Sequence, residues 1–129
     1  QVIATCLSWD QENDADFPAF IGSSLALGMS QIPWNGPLAA VRVGRTNGEF
    51  IINPTYKERV EGDMDLTFTG IIINGELHIN MIEMGAKQIS EEDVMRAVDF
   101  AMPTLQKLVD FQKEIIKKVG KENAIQNYI

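Results

Sequence analysis

The segment from Asp63 to Met81 constrains the fold more than any other part of the chain. In Asp63-Met64-Asp65-Leu66-Thr67-Phe68-Thr69-Gly70 the alternation is strict, so Met64, Leu66 and Phe68 lie on one face of a strand. Asn74-Gly75 follows, the dipeptide best suited to a two-residue type I′ turn, because both central residues of that turn take positive φ. Such a turn pairs Ile73 with Glu76, Ile72 with Leu77 and Phe68 with Met81. The register then gathers Met64, Leu66, Phe68 and Ile72 on the same face as Leu77, Ile79 and Met81. A slip of one residue would turn one strand's apolar set outward, so turn chemistry and hydrophobic pattern specify the same pairing.

The flanks supply further elements. Val2 to Trp9 is strand-like, and Asp10 to Asp16 is a polar, acidic loop. Asp16 suits a helix N-cap with Pro18 in the first turn, and Phe17, Phe20, Ile21, Ser24, Leu25 and Gly28 recur at helical spacing to about Ser30. Gly22, Ser23, Ser24, Ala26 and Gly28 give this helix a small surface, expected to pack closely on a sheet. A phosphate cradle would need its backbone N–H groups at a helix start, and no phosphate-loop or nucleophile-elbow pattern is present. Ile32 to Pro37 is a turn cluster; Leu38–Thr46 and Glu49–Asn53 read as strands joined by Asn47-Gly48, and Tyr56–Glu61 as a charged connection of one helical turn. Ser90 caps a last helix whose first turn is Glu91-Glu92-Asp93. Its stripe runs through Val94, Ala97, Val98, Ala101, Met102, Leu105, Leu108, Val109, Ile115, Ile116 and Val119. Pro103 interrupts that stripe and predicts a kink near Phe100 or two helices end to end. Residues 1–120 form the expected domain, and 121–129 a polar tail or linker.

Composition narrows the function. Eleven Lys and Arg against 18 Asp and Glu give a net charge of -7, and the only close basic group is Lys113, Lys117, Lys118 and Lys121, which disfavours a free-standing nucleic-acid binder. One Cys and one His exclude an internal disulfide and a His/Cys zinc site. No apolar run approaches the roughly 20 residues that cross a bilayer, so no membrane partner is expected and the localisation expected is cytoplasmic. Gln1 opens directly into strand-like sequence without an initiator Met or a signal-peptide pattern, which points to a cut inside a larger protein.

Four groups of residues could carry chemistry. Asp63 and Asp65, two apart, share the polar face of their strand; paired carboxylates can hold Mg²⁺, and the competing reading is a solvated strand entrance. His78 falls on the face opposite Leu77 and Ile79, with nothing to complete a triad. Cys6 reads as a buried, inert thiol. Met81, Met84, Met95 and Met102 read as core filler. Taken alone, these residues describe an acidic α/β domain without a complete active site.

Longer motifs go further. Val2-Ile3-Ala4-Thr5, Ile21-Gly22-Ser23-Ser24-Leu25-Ala26-Leu27, the run I-P-x-N-G-P-x-x-A-x-R-V-G from Ile32 to Gly44, and N-G-E-x-x-x-N-P-T from Asn47 to Thr55 resemble bacterial polynucleotide phosphorylases (polyribonucleotide nucleotidyltransferases). The likeness is to the second half of their first RNase PH-like domain, from Val2 to about Val119. It implies a mixed sheet with hairpins and packed helices, an α/β fold of the α+β type. It also implies a parent enzyme that degrades mRNA from the 3′ end with inorganic phosphate, releasing nucleoside diphosphates. That parent would be a Mg²⁺-dependent, RNA-binding homotrimer in which this repeat builds the ring and shapes the RNA channel.

The departures from the family's catalytic repeat bear on the chemistry. A Ser-rich phosphate loop there corresponds to Asp14-Ala15-Asp16 here, whose carboxylates repel phosphate. Gly62-Asp63-Met64-Asp65 is kept, but Thr67 stands where a lysine would, and Arg59 where a further aspartate would. Asp63 and Asp65 are therefore vestigial metal candidates. No catalytic, cofactor-binding or metal-binding residue is assigned, no cofactor is expected in the fragment, and the fragment alone is expected to be inactive. The Asn74-Gly75 hairpin exceeds the family's usual turn, so its tip should project. A half-domain also exposes sheet edges and apolar faces, so self-association is expected. The alternatives are a stand-alone protein-interaction module of the same fold and a small hydrolase using Asp63 and Asp65.

Overall fold

A computed structural model describes residues 1–121. In chain order the elements are α1 (Asp16–Met29), β1 (Leu38–Thr46), β2 (Glu49–Ile52), α2 (Tyr56–Glu61), β3 (Met64–Ile73), β4 (Glu76–Ala86) and α3 (Glu91–Val119). The strands form one sheet in the order β2-β1-β3-β4, antiparallel at every pairing, with helices packed on it. The α+β class expected from the sequence is the class observed; the sheet expected as mixed is antiparallel in its four described strands.

Both hairpins turn on Asn-Gly. Asn47 and Gly48 have φ of 52° and 81°, Asn74 and Gly75 of 53° and 90°, the left-handed pair that a type I′ turn requires. Alternation does the rest. Ala39, Val41 and Val43 of β1 and Met64, Leu66 and Phe68 of β3 share one sheet face, and α3 lies across it with Ala97, Ala101, Leu105 and Val109, four residues apart along one helical face. Ser90 Oγ accepts from the Asp93 amide to start α3. Thr55 and Glu58 form a reciprocal capping box at α2. α1 meets β1 through Ser24, whose hydroxyl accepts from the Leu38 amide at 3.0 Å and donates to Gln112 at 2.6 Å. Buried Gln112 also donates to the Leu38 carbonyl at 2.9 Å, so α1, β1 and α3 are fastened at one point.

Several expectations are corrected. Val2 to Trp9 forms no strand; the segment is exposed throughout, and Cys6, expected to be buried, is exposed with it. Asp16 is the first helical residue, and Ala15 holds the N-cap position without a side-chain cap. α3 is one continuous helix through Pro103, not two end to end, and the proline lies on its exposed side. Of the methionines expected in the core, Met81, Met84 and Met95 are exposed; β4 is an edge strand, and Met95 lies off the buried stripe of α3. The small surface of α1 is only partly a packing surface. A Cβ at Gly28 would strike Ile116 of α3, but one at Gly22 would meet nothing within 4 Å.

The β3–β4 register holds near the turn, with Ile73 opposite Glu76 and Ile72 opposite Leu77. Beyond it Phe68 faces Ile82, not Met81, because Asn80 is an extra residue opposite the Thr69–Gly70 step. Leu77 and Ile79 are in one alternation phase, Ile82 and Met84 in the other, and a bulge is the only way to keep all four on one face. Thr69 Oγ1 lies 2.6 Å from Asn80 Oδ1 and fixes the bulge. His78 is exposed opposite Ile71, and the tip at Asn74-Gly75 is exposed, as expected. The tail expected over 121–129 lies, after Lys121, outside the described residues.

Candidate functional site

The glycine of Gly62-Asp63-Met64-Asp65 is dictated by a close approach. A Cβ on Gly62 would sit 2.7 Å from the Arg45 carbonyl oxygen. The chain can therefore press against β1 there, and the Asp63 amide donates to that carbonyl at 3.0 Å. β3 then runs antiparallel to β1 with Asp65 opposite Gly44 and Thr67 opposite Arg42. Asp65 and Arg42 thus emerge side by side on the sheet face away from the core.

Four charged side chains from four parts of the chain converge at this point. Arg42 Nη1 donates to Asp65 Oδ1 at 2.7 Å, and its Nη2 lies 3.1 Å from Asp14 Oδ2. Arg59, carried by α2, donates from Nε and Nη2 to Asp65 Oδ2 at 3.1 and 2.9 Å, and its Nη1 reaches Asp14 Oδ2 at 3.2 Å. Two acids and two guanidinium groups close a ring of zero net charge. Asp14 is 11% exposed and Arg42 15%, while Arg59 and Asp65 are 24% and 30% exposed, so the ring is shielded at Asp14 and Arg42 and reaches water at its other two members. Each guanidinium also rests on an aromatic face, Arg42 on Phe17 at 5.3 Å and Arg59 on Tyr56 at 5.5 Å.

Asp63 is held separately. Arg45 forks onto it with bonds of 2.9 and 2.8 Å, and its remaining nitrogen reaches Asp93 at 2.7 Å in the first turn of α3. The paired guanidinium holds the Asp63 carboxyl below its usual range, and holds Asp93 below it as well, with help from the Ser90 cap. Arg45 is in turn pushed up by its two acids. The two aspartates that the sequence places as a pair therefore belong to different networks.

This arrangement does not fit a Mg²⁺ ion. The Asp65 oxygens both accept from guanidinium groups, as do those of Asp63, and a cation would have to displace arginines that are themselves positively charged. Nor does it fit phosphate, because Arg42 and Arg59 are already occupied by acids and Asp14 adds a repelling charge. The sequence singles out Asp14, Arg59, Asp63 and Asp65 but gives Arg42 and Arg45 no partners. The hairpin-type antiparallel pairing of β1 with β3, which is not local, is what brings those two arginines to the acids. Lys113, Lys117 and Lys118 lie at the far end of α3, exposed and away from this ring.

Residues 36–103, more than half of the chain, match the family described as 3′ exoribonuclease family, domain 2. The chain belongs to that family. The match runs from the turn before β1 through the sheet to the middle of α3, and so includes Arg42, Arg59, Asp63 and Asp65. The chain is also similar to polyribonucleotide nucleotidyltransferases. It is 44% identical to that of Dehalococcoides mccartyi over 95% of this chain and 16% of the relative. To that of Exiguobacterium sibiricum it is 43% identical over 95% of the chain and 16% of the relative. To that of Bacillus mycoides it is 43% identical over 96% and 17%. The chain thus spans about one sixth of the length of these curated relatives. The resemblance read from the Ile32–Gly44 and Asn47–Thr55 motifs is borne out. Among the described residues no helix is long and apolar enough to cross a membrane.

Proposed function

We propose that the chain is part of a cytoplasmic, phosphate-dependent 3′-to-5′ exoribonuclease that degrades mRNA, and that this repeat is structural within it. In this reading the parent enzyme binds RNA and inorganic phosphate, uses Mg²⁺ at a different repeat, and assembles as a homotrimer whose ring and channel this domain helps to form. The observation that carries the structural role is the closed ring of Asp14, Arg42, Asp65 and Arg59. Phosphorolysis needs a phosphate placed in line with the scissile bond and groups that take up the developing charge. Here the groups at that position neutralise one another. The ring at Asp65 and the separate fork of Arg45 on Asp63 count against a small hydrolase using these two acids, since neither carboxylate is free to act as a base.

The test is direct. Labelled poly(A), Mg²⁺ and phosphate are incubated with the 129-residue chain, and the products are separated by chromatography. No nucleoside diphosphate is expected, and RNA binding is expected to be weak and to collapse between low and physiological salt. Diphosphate release that Asp65→Ala abolishes would overturn the structural reading. A chimera tests the parent activity: residues 1–129 replace the matching segment of the Dehalococcoides mccartyi relative. Phosphorolysis is expected to survive in it, and to survive Asp63→Asn; its loss from an intact assembly would refute the placement of this domain.

A further inference from the structure

β4 is the outermost strand of the sheet, 11 residues long, and among the described residues no other strand pairs with its outer edge. It carries no lysine and no proline, the residues that most often protect an edge. Ile82 is 51% exposed and Met84 55%, although both point to the face on which α3 lies. The core face of the sheet therefore continues, uncovered, to its open edge.

The bulge gives this edge a particular symmetry. Asn80 and Met81 both oppose Thr69 and project from the face away from α3. Counting outward from the step between them, Ile79 and Ile82 point to the α3 face, His78 and Glu83 away from it, and Leu77 and Met84 to the α3 face again. The pattern reads the same in both directions. In a regular strand a two-fold axis between two residues would set inward side chains against outward ones; the extra residue removes that mismatch.

We propose that β4 pairs antiparallel with β4 of a second copy of this chain, about a two-fold axis between Asn80 and Met81, to give a continuous eight-stranded sheet. This pairing sets Ile79 opposite Ile82 of the second copy and Leu77 opposite Met84, so eight apolar side chains close one strip. On the other face it sets His78 opposite Glu83 of the second copy, twice per dimer. Neither residue has a charged neighbour across β3, where they face Ile71 and Thr67, so each is free to take a partner from outside. Both the apolar and the polar residues are thus complementary in one register. This inference is independent of the proposed parent enzyme.

Sedimentation equilibrium of the 129-residue chain, in a series up to about 1 mM, reads the result. A reversible monomer–dimer equilibrium is expected. His78→Glu sets like charges opposite one another twice and is expected to weaken dimerisation about fivefold. Adding Glu83→Lys to it sets opposite charges across the contact and is expected to return affinity to within about twofold of the wild type. Ile82→Lys, a charge introduced into the strip, is expected to leave monomer only. All three positions are exposed, so circular dichroism should show the native fold in each variant. A monomer at every concentration overturns the proposal. So does a dimer indifferent to His78→Glu, or a double variant as weak as the single one, since either result would place the contact elsewhere.

Discussion

Arg42→Met is the most informative test of the charged ring. Methionine keeps the apolar stem that lies against Phe17 and removes only the guanidinium, with its bonds to Asp65 at 2.7 Å and Asp14 at 3.1 Å. An exposed ion pair contributes at most about 1 kcal/mol, whereas breaking a buried one costs about 3–5 kcal/mol. The side chains of Asp14 and Arg42 are 11% and 15% exposed, near the buried limit. Arg59 stays within 3.2 Å of Asp14 and 2.9 Å of Asp65, however, so neither acid is left wholly without a counter-charge. The lost cation–π contact adds about 0.5–1 kcal/mol. The expected destabilisation is about 2–3 kcal/mol, or about 10 °C in Tm for a domain of this size. Urea unfolding followed by circular dichroism measures it. Lys57→Ala serves as the control: its pair with Glu61 spans 3.9 Å with Lys57 84% exposed, so its loss should cost under about 0.5 kcal/mol. Asp14→Asn closes a double-mutant cycle, in which the two changes should couple by about 1 kcal/mol because they share one ring. Arg42→Met within about 0.5 kcal/mol of the wild type would show that the ring is surface decoration, and would remove the main argument for a structural role.

Acid stability should depend on Arg45. Because Arg45 depresses Asp63 and Asp93 in the folded chain, the unfolded chain binds more protons at low pH. Their contribution is therefore complete above about pH 5 and is lost as pH falls through about 4 and below. Arg45→Met should flatten that limb of a urea-midpoint profile; variant and wild-type curves that fall in parallel would contradict the assignment. Asn74→Pro should cost far more than Thr46→Ala, since proline cannot adopt the φ of 53° at Asn74, whereas the Thr46 hydroxyl makes only a long 3.4 Å bond to Glu58. Equal denaturation midpoints would mean that the turn does not set the register. Gly62→Ala should destabilise by about 2 kcal/mol through contact with the Arg45 carbonyl, and a neutral effect would mean that the β1–β3 approach is looser than described.

What the sequence made legible was the local structure. The two Asn-Gly turns, the alternation of β3 and the Ser90 cap are decided by residues within a few positions of one another, and each stands where the sequence placed it. What it hid was decided at a distance. The bulge at Asn80 follows from a change of alternation phase inside β4, between Ile79 and Ile82, which is written in the sequence but is masked by the clear pairing nearer the turn. Cys6 and the Val2–Trp9 segment have strand composition, yet a strand needs a neighbour, and among the described residues none pairs with this segment. Residue type alone does not decide the exposure of Met81 and Met84, which is set by where the sheet ends, or that of Met95, which is set by the helical face it falls on.

The site was legible as an absence and illegible as a construction. Arg59, Thr67 and the acids at Asp14 and Asp16 are enough to argue against a phosphate loop and a metal pair here. They do not say what replaces them. The β1–β3 register supplies that answer, because it brings Arg42 beside Asp65 across 23 residues of sequence and lets Asp14 close the ring. A cluster of arginines and aspartates would repel itself unless its signs balanced, and a buried unbalanced charge costs several kcal/mol. Arg59 restores that balance: with an acid there instead, three carboxylates would face Arg42 alone. The positive charge of Arg59 is therefore the feature that keeps the four side chains neutral as a group and a stable part of the fold.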